Sequence, residues 1–305
     1  MSQPLVSVVV PFYGVEAYIA QCARSLLEQT YPALQLVFVN DGTRDRSREV
    51  LSGVLAQYPE RCAVIIDQEN AGLPQARRGG VLAATGDYIL HVDSDDYLER
   101  DAVERLVACA SATGADVVHF YVQKEFGGGR FRISRDARYD SPQAYARDIV
   151  CFRSHGYVCN KFMRASLYRE ELFWPRYNMH EDIVLSVQLL HRACTIALLE
   201  APLYHYRRDN PSAASRVRKQ VRRGQSARNF LDLYEYWKTR TDSPVAAIQD
   251  ELLLRPAWYA LSMEPALFGE RPYLKGEVAR IPLHRPSSVK MFRQLWMKIR
   301  LQFLK

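Results

Sequence analysis

Residues 5–12, LVSVVVPF, place four valines and a leucine in one short run, without the polar alternation of a half-solvated strand. Such a run is a strand covered on both faces, and it needs helices above and below it. The chain supplies them in turn. EAYIAQCARSLLEQ (16–29) has apolar residues at helical spacing, LQLVFVN (34–40) is a second strand, SREVLSGVLAQY (47–58) a helix and CAVIIDQ (62–68) a third strand. LPQARRGGVLAAT (73–85) is helical, with Pro74 tolerated in the first turn. DYILHVD (87–93), RDAVERLVACASA (100–112) and ADVVHFYVQ (115–123) continue as strand, helix and strand. Alternation at this pace predicts a doubly wound α/β sheet, mostly parallel.

The pattern then becomes mixed. FGGG (126–129) reads as a loop or hairpin tip, SPQAYARDIV (141–150) and HEDIVLSVQLLHRA (180–193) as helices, and TIALLEAPLYHYRR (195–208) as extended chain. From about residue 212 the chain reads as mostly helical, which divides it into residues 1–210 and a helical region, 211–305. The 305 residues suffice for one large domain or a domain with an appendage, and 48% hydrophobic residues allow a sizeable core. The six cysteines show no C-x-x-C spacing and no accompanying histidine cluster, which argues against zinc or a disulfide framework and fits a reducing cytoplasm. The N-terminus reads as no signal peptide, and no run of about 18 apolar residues offers a membrane span.

Ligands of an open α/β sheet bind beyond the carboxyl ends of the strands. Here four strands end in polar groups: Pro11 to Tyr13, Asn40 to Gly42, Asn70 to Gly72, and Asp93 to Asp96. One Asp after a strand is usually a turn former or helix cap; four polar strand ends in succession point to one binding edge, with Asn70 among its candidates. The first strand–helix junction, PFYGVEA, has neither G-x-G-x-x-G nor a Walker loop, so no glycine-rich loop holds phosphates. A cation is the natural substitute. The hard carboxylate oxygens of D-S-D (93–95) suit Mg²⁺ or Mn²⁺ bridging to a diphosphate.

VSVVVPFYGVEAYIAQCARSLLEQTYPALQLVFVNDGTRDRS (6–47) and ENAGLPQARRGGVLAATGDYILHVDSDD (69–96) resemble inverting glycosyltransferase family 2, whose catalytic domain has the type-A glycosyltransferase fold. The likeness is close over residues 5–100 and resumes at CNKFMRASLY (159–168), HEDIVLSVQLL (180–190) and YHYRRDNPSAAS (204–215). It implies a Rossmann-like catalytic domain over 1–210. It places Pro11, Tyr13 and Glu16 in the nucleoside pocket, Asp41 on the base, and Arg77 near the base and the metal-site carboxylates. Asp93 would contact ribose or metal, and Asp95 would ligate the metal directly. Asp182, in the E-D pair with Glu181, would be the catalytic base. Arg207 and Ser212 would sit in a flexible segment closing over the diphosphate. The family's AR-N pattern has Arg78 where asparagine is usual. Asn160 and Lys161 are open to a structural or acceptor-side role. His180 and His205 are candidate acceptor contacts, for which a structural role is the plainer reading.

The reaction asks for these residue types on its own account: a base for the acceptor hydroxyl proton, and charge stabilisation on the leaving diphosphate. The resemblance therefore implies a metal-dependent inverting enzyme that moves a hexose or N-acetylhexosamine from a UDP-sugar to a saccharide or lipid-linked acceptor, in bacterial capsule, lipopolysaccharide or exopolysaccharide synthesis. A non-UDP donor, or an inactive nucleotide-binding scaffold of the same fold, is the alternative. Processive synthases add membrane spans and Q-x-x-R-W, neither of which is found, and a nucleotidyltransferase would need the missing glycine-rich loop.

The end of the chain, HRPSSVKMFRQLWMKIRLQFLK (284–305), contains no acid. Val289, Phe292, Leu295, Trp296, Ile299 and Phe303 share one helical arc, and Lys290, Arg293, Lys298, Arg300 and Lys305 occupy much of the rest. This is the pattern of an interfacial helix on an anionic membrane; the other reading is a helix packed on the catalytic domain. The expectation is a cytoplasmic protein with peripheral contact to the cytoplasmic membrane face through 286–305. No nucleic-acid motif accompanies the basic residues.

Overall fold

The computed structural model describes residues 3–169, 171–210, 218–240, 246–263 and 266–281, with 293, 294 and 297 in the tail. The first half alternates as expected: β1 (Val6–Phe12), α1 (Ile19–Leu27), β2 (Leu34–Asn40), α2 (Ser47–Leu55), β3 (Cys62–Asp67), α3 (Leu73–Ala83), β4 (Tyr88–His91), then α4 (Ala102–Thr113) and β6 (Val117–Glu125). A two-residue strand, β5 (Tyr97–Leu98), intervenes before α4. The second half runs β7 (Phe131–Ser134), α5 (Pro142–Val150), β8 (Lys161–Arg164), α6 (Glu181–Arg192) and β9 (Ile196–Arg207). The helices α7 (Lys219–Lys238), α8 (Ala246–Met263), α9 (Ala266–Glu270) and α10 (Tyr273–Arg280) follow.

Among the described residues the nine strands form one sheet in the order β3-β2-β1-β4-β8-β6-β9-β5, with β7 paired to the far half of β6. β3, β2, β1 and β4 are parallel, as is β6 with β9, while β8 runs antiparallel between β4 and β6. β1 sits centrally, and its alternating valines serve two cores. Val6, Val8 and Val10 pack with Ile19, Leu26, Leu51 and Leu106 from α1, α2 and α4. Val9 faces the other way and joins Ile89, Val117 and Met163 beneath α5 and α6. Each fully buried valine contributes about 1.5–3 kcal/mol of transfer free energy.

Helix α3 lies against β1 at Gly80, where a Cβ would come 2.3 Å from Val9 Cγ1. That close approach brings Arg77, one turn earlier, over the strand ends. β8 was not foreseen. Four residues are too few for a period to declare itself, and the strand opens on Lys161, a fully buried lysine in a position where pattern predicts an apolar side chain.

Phe230, Leu231, Trp237, Ile248, Leu252 and Val278 from the C-terminal helices enter the same core as Val9 and Val117. In the tail Gln294 and Met297 are buried, and the Arg293 guanidinium lies 5.2 Å from the Trp258 ring. The proposed membrane arc (Val289, Phe292, Leu295, Trp296, Ile299 and Phe303) lies outside the described residues. No described helix is long and apolar enough to cross a membrane.

Candidate active site

The parallel strands deliver their polar ends to one edge, but most of these groups are first employed in holding the edge together. Asp41, after β2, is buried. Its carboxylate accepts from Gln68 Nε2 at 2.8 Å and from the backbone N–H groups of Ala71 and Gly72 at 2.8 and 2.9 Å. Asn70 returns the link by donating to the Asp41 carbonyl at 2.9 Å. Gly72 has φ +88°, and a Cβ there would stand 2.8 Å from Asn178 Oδ1, so only glycine suits this turn. Pro11 is buried at the end of β1, whereas Tyr13 is 49% exposed. Glu16 accepts from Arg46 N at 3.0 Å, and its own N–H donates to Asp45 at 3.0 Å. Burial alone would raise Asp45, but hydrogen bonds from Ser47, Thr43 and Glu16 N hold it below the usual carboxylate range.

The turn after β4 gathers three carboxylates. Asp96 is buried and accepts from Tyr204 Oη and Arg207 N, both at 2.7 Å. Asp95 accepts from Asn210 Nδ2 at 2.7 Å. Burial, then the charges of Asp95 and Asp93, push Asp96 well above its usual range; burial, then Asp93, raises Asp95 as well. Arg207 is the last residue of β9 rather than part of a loop, which corrects the expectation of a flexible segment at this position. Its guanidinium lies 5.1 and 5.6 Å from the Tyr18 and Tyr97 rings, donates to the Asp95 carbonyl at 3.0 Å and reaches Gln21 Oε1 at 2.6 Å. Ser212 lies outside the described residues.

Arg77 ties this turn to the second half of the chain. It is 2% exposed, with Nη2 2.6 Å from Asp93 Oδ1 and Nε 3.0 Å from Glu181 Oε1. Burial would weaken its proton, but Glu181 and Asp93 hold the guanidinium firmly charged. Its Nη1 has no hydrogen-bond partner among the described residues. Glu181 and Asp182 open α6, where the helix dipole favours carboxylates. Burial nevertheless dominates: Asp182 is pushed up to about 6, with the Ile183 N–H and Arg77 opposing and Asp93 adding to the rise.

The fold thus brings Arg77, Asp93, Asp95, Asp182 and Arg207 to one side of the sheet edge, while Asp41, Asn70 and Glu16 serve the adjoining turns. His180 packs between Phe152 and Phe230 and bonds Ser226 at 2.7 Å; His205 sits between Glu99 and Glu125 at 2.9 and 3.0 Å. The ring nitrogens of His205 and Nδ1 of His180 are thus engaged within the fold. Sequence reasoning missed Tyr204 and Asn210 as partners of the acidic turn. The alternation of YHYR was a usable signal for Tyr204, since it puts Tyr204 and Tyr206 on one face of β9 and His205 on the other.

The acidic turn fits a hard divalent cation: its donors are carboxylate oxygens, and their mutual repulsion is what a cation relieves. Among the described residues no three His, Cys, Asp or Glu side chains stand together as a complete metal cage. Mg²⁺ is typically held by one or two carboxylates, with phosphates and water completing its shell.

Residues 7–183 match the family model described as glycosyl transferase family 2. The chain is 34% identical over 233 residues to the uncharacterized glycosyltransferase EpsJ of Bacillus subtilis (strain 168), a match covering 70% of this chain and 64% of EpsJ. It is 31% identical over 228 residues to the putative glycosyltransferase EpsH of the same organism, covering 72% and 66%. The match therefore spans less than two thirds of either relative. Among solved structures, S. aureus TarS 1-349 in complex with UDP-GlcNAc superposes with a TM-score of 0.68 at 17% identity, covering 97% of this chain and 89% of that one. The mannosyltransferase PcManGT from Pyrobaculum calidifontis, in complex with GDP-Man and Mn²⁺, gives 0.58 at 14%, covering 99% and 88%. The shared architecture is the type-A glycosyltransferase fold.

Proposed function

The chain belongs to glycosyl transferase family 2, and on that premise we propose that it is a metal-dependent, inverting transferase that moves a hexose or N-acetylhexosamine from a UDP-sugar to a saccharide or lipid-linked acceptor in bacterial surface-glycan synthesis. The observation that carries this reading is the Arg77 bridge, which sets the acidic turn of Asp93 and Asp95 beside the acids that open α6. UDP-GlcNAc in the TarS neighbour supports the donor class.

In this reading Asp93 and Asp95 would hold Mn²⁺ or Mg²⁺, and the bound ion would supply charge neutralisation for the diphosphate leaving group. Pro11, Tyr13, Glu16, Asp41 and Asn70 form the nucleoside side, with Asp41 shaping the turn through Ala71 and Gly72. Arg207, fixed between Tyr18 and Tyr97, and Ser212 serve the diphosphate. Asp182 takes the acceptor hydroxyl proton as the acceptor oxygen bonds the anomeric carbon and the sugar–diphosphate bond breaks; UDP leaves, and the configuration inverts. Arg77 holds Glu181 and Asp93 in place without titrating. Apart from Ser212, the residues given roles here lie within 1–210, and the helices α7, α8 and α10 pack on one face of that domain.

Nucleotide-dependent stabilisation tests the donor and metal roles together. UDP with Mn²⁺ should raise the melting temperature, corresponding to about 2.7 kcal/mol at a hundredfold excess over Kd, whereas GDP or CMP with Mn²⁺ should give much less. Asp95→Ala should lose the metal-dependent part of the gain. Equal stabilisation by GDP would move the donor assignment to another nucleotide, and an undiminished metal effect in Asp95→Ala would remove the metal reading. Binding of UDP without transfer to any acceptor in a polysaccharide panel would favour the scaffold alternative.

We also propose that the basic tail, 286–305, contacts the cytoplasmic membrane face. Lys290→Gln, Lys298→Gln and Arg300→Gln together should weaken co-sedimentation with phosphatidylglycerol vesicles, by about 1 kcal/mol for each charge near the surface. Unchanged sedimentation would leave the tail as a packing helix, the role to which buried Met297 already belongs.

A further inference from the structure

Beside the acidic turn, β7, β6 and β9 carry a row of side chains for which folding alone gives no reason. Lys124 on β6 is paired directly with Arg132 on β7 and, on its other side, with Tyr206 on β9. Side chains at paired positions share a face, and like charges directly opposite one another in an antiparallel ladder destabilise it. Arg208, two residues beyond Tyr206, adds a third cation over the same face, its guanidinium 5.7 Å from the Tyr206 ring.

An aromatic platform adjoins the row. Lys124 Nζ lies 5.4 Å over the Tyr157 ring, His155 stacks on Tyr157 at 4.9 Å and 6°, and Tyr206 meets it at 5.9 Å. Tyr157 is fastened from below, because the buried Lys161 Nζ donates to its carbonyl at 2.6 Å and to Asn160 Oδ1 at 2.8 Å. Two of the nearby acids, Asp136 and Glu125, are hydrogen-bonded elsewhere. Asp136 accepts from Tyr145, Ser154 and Asn160 at 2.6, 2.9 and 3.0 Å. Glu125 points to the opposite face, where it meets Tyr97 and His205, and Asp209 stands at the hairpin tip beside Gly127. Burial first, then Arg208 and Arg132, lowers Lys124, so the cations are felt as a cluster. The patch adjoins the acidic turn through β9: Tyr206 and Arg208 flank Arg207, whose N–H donates to Asp96 at 2.7 Å.

We propose that this patch is the acceptor subsite, and that it selects a saccharide bearing a negative charge, a carboxylate or a phosphate, held by Lys124 and Arg132 while a sugar ring packs against the Tyr157–His155 stack. The proposal rests on the transferase reading above and adds the acceptor class to it. The charged residues would contribute attraction to the ligand in exchange for their mutual repulsion in the empty sheet.

Calorimetric titration of the full chain, with and without UDP and Mn²⁺, tests the idea with four probes: methyl β-D-glucuronide, methyl β-D-glucoside 6-phosphate, uncharged methyl β-D-glucoside and inorganic phosphate. At least one charged glycoside should bind about tenfold or more tightly than the uncharged one, the gain expected from a charge-assisted hydrogen bond, and the stronger of the two identifies the anion. The double variant Lys124→Gln, Arg132→Gln should abolish that preference, keep the wild-type affinity for UDP and melt no lower than the wild type, since it removes a like-charge pair. Equal binding of all glycosides, binding of none, a preference that survives the double variant, or inorganic phosphate binding as tightly as the sugar phosphate would each overturn the proposal. Failure of UDP to bind would instead strike the donor reading, and the glycoside titrations without UDP would still decide the acceptor patch.

Discussion

Replacing Asp182 by Asn is expected to slow sugar transfer by about 10²–10⁴-fold, the usual worth of a positioned general base, while leaving UDP affinity near that of the wild type. The side chain keeps its size and removes only the site for the proton. The wild-type pH profile should carry the same signature. Burial lifts the Asp182 carboxyl to about 6, and a base must be ionised to act, so activity should rise with pH through that value and be lost below it. In Asp182→Asn the residual rate should lack this limb. Initial rates of UDP release between pH 5 and 8 separate the two, and a variant that transfers at the wild-type rate would remove Asp182 from the chemistry. A structural role alone would change stability without moving the limb.

Arg77→Met should be the most damaging single change for stability, costing about 3–5 kcal/mol in urea unfolding. The arginine is buried with two acids, and its removal strands Asp93 and Glu181 without their counter-charge. Burial already raises Glu181 above the ordinary glutamate range, with Arg77 the main opposing influence. A carboxyl whose folded-state pKa is raised keeps its proton where the unfolded chain has released it, so its contribution to stability declines as pH rises through that interval. Without Arg77 the decline should steepen, and the deficit of Arg77→Met should be larger at pH 8 than at pH 5. A deficit independent of pH would show that lost packing, and not stranded charge, accounts for the effect. Arg77→Lys should recover only part of the loss, because an ammonium has no planar fork to serve two carboxylates at once.

The parallel half of the sheet was legible because its strands and helices obey the two periods that burial imposes, and β1 to β4 fall within a few residues of where the valine-rich runs place them. β5 and β7 were not legible: two and four residues carry too little pattern, and β7 opens on the exposed Phe131. At the site, Asp93, Asp95 and Asp182 were legible as types at strand and helix ends. Their arrangement was not, since Arg77 meets Glu181 across 104 residues of chain, and no local signal records that pairing. The task of Asp96 is illegible for the same reason; its partners, Tyr204 and Arg207, come from β9.

Those partners lie 108 and 111 residues downstream, and Asn210, which holds Asp95, lies 115 residues downstream. On the ribosome, the interval between making the acidic turn and making its partners is on the order of ten seconds. Throughout that time three neighbouring acids have neither Tyr204 nor Arg207 to accept from, and they remain hydrated. A nascent or prematurely released chain ending before β9 therefore has strands β1 to β4 but an acidic turn without its partners. In the proposed reading, competence to hold a nucleotide sugar would arrive only with β9, so a chain that stops short of β9 would be no partial enzyme able to spend activated sugar on water.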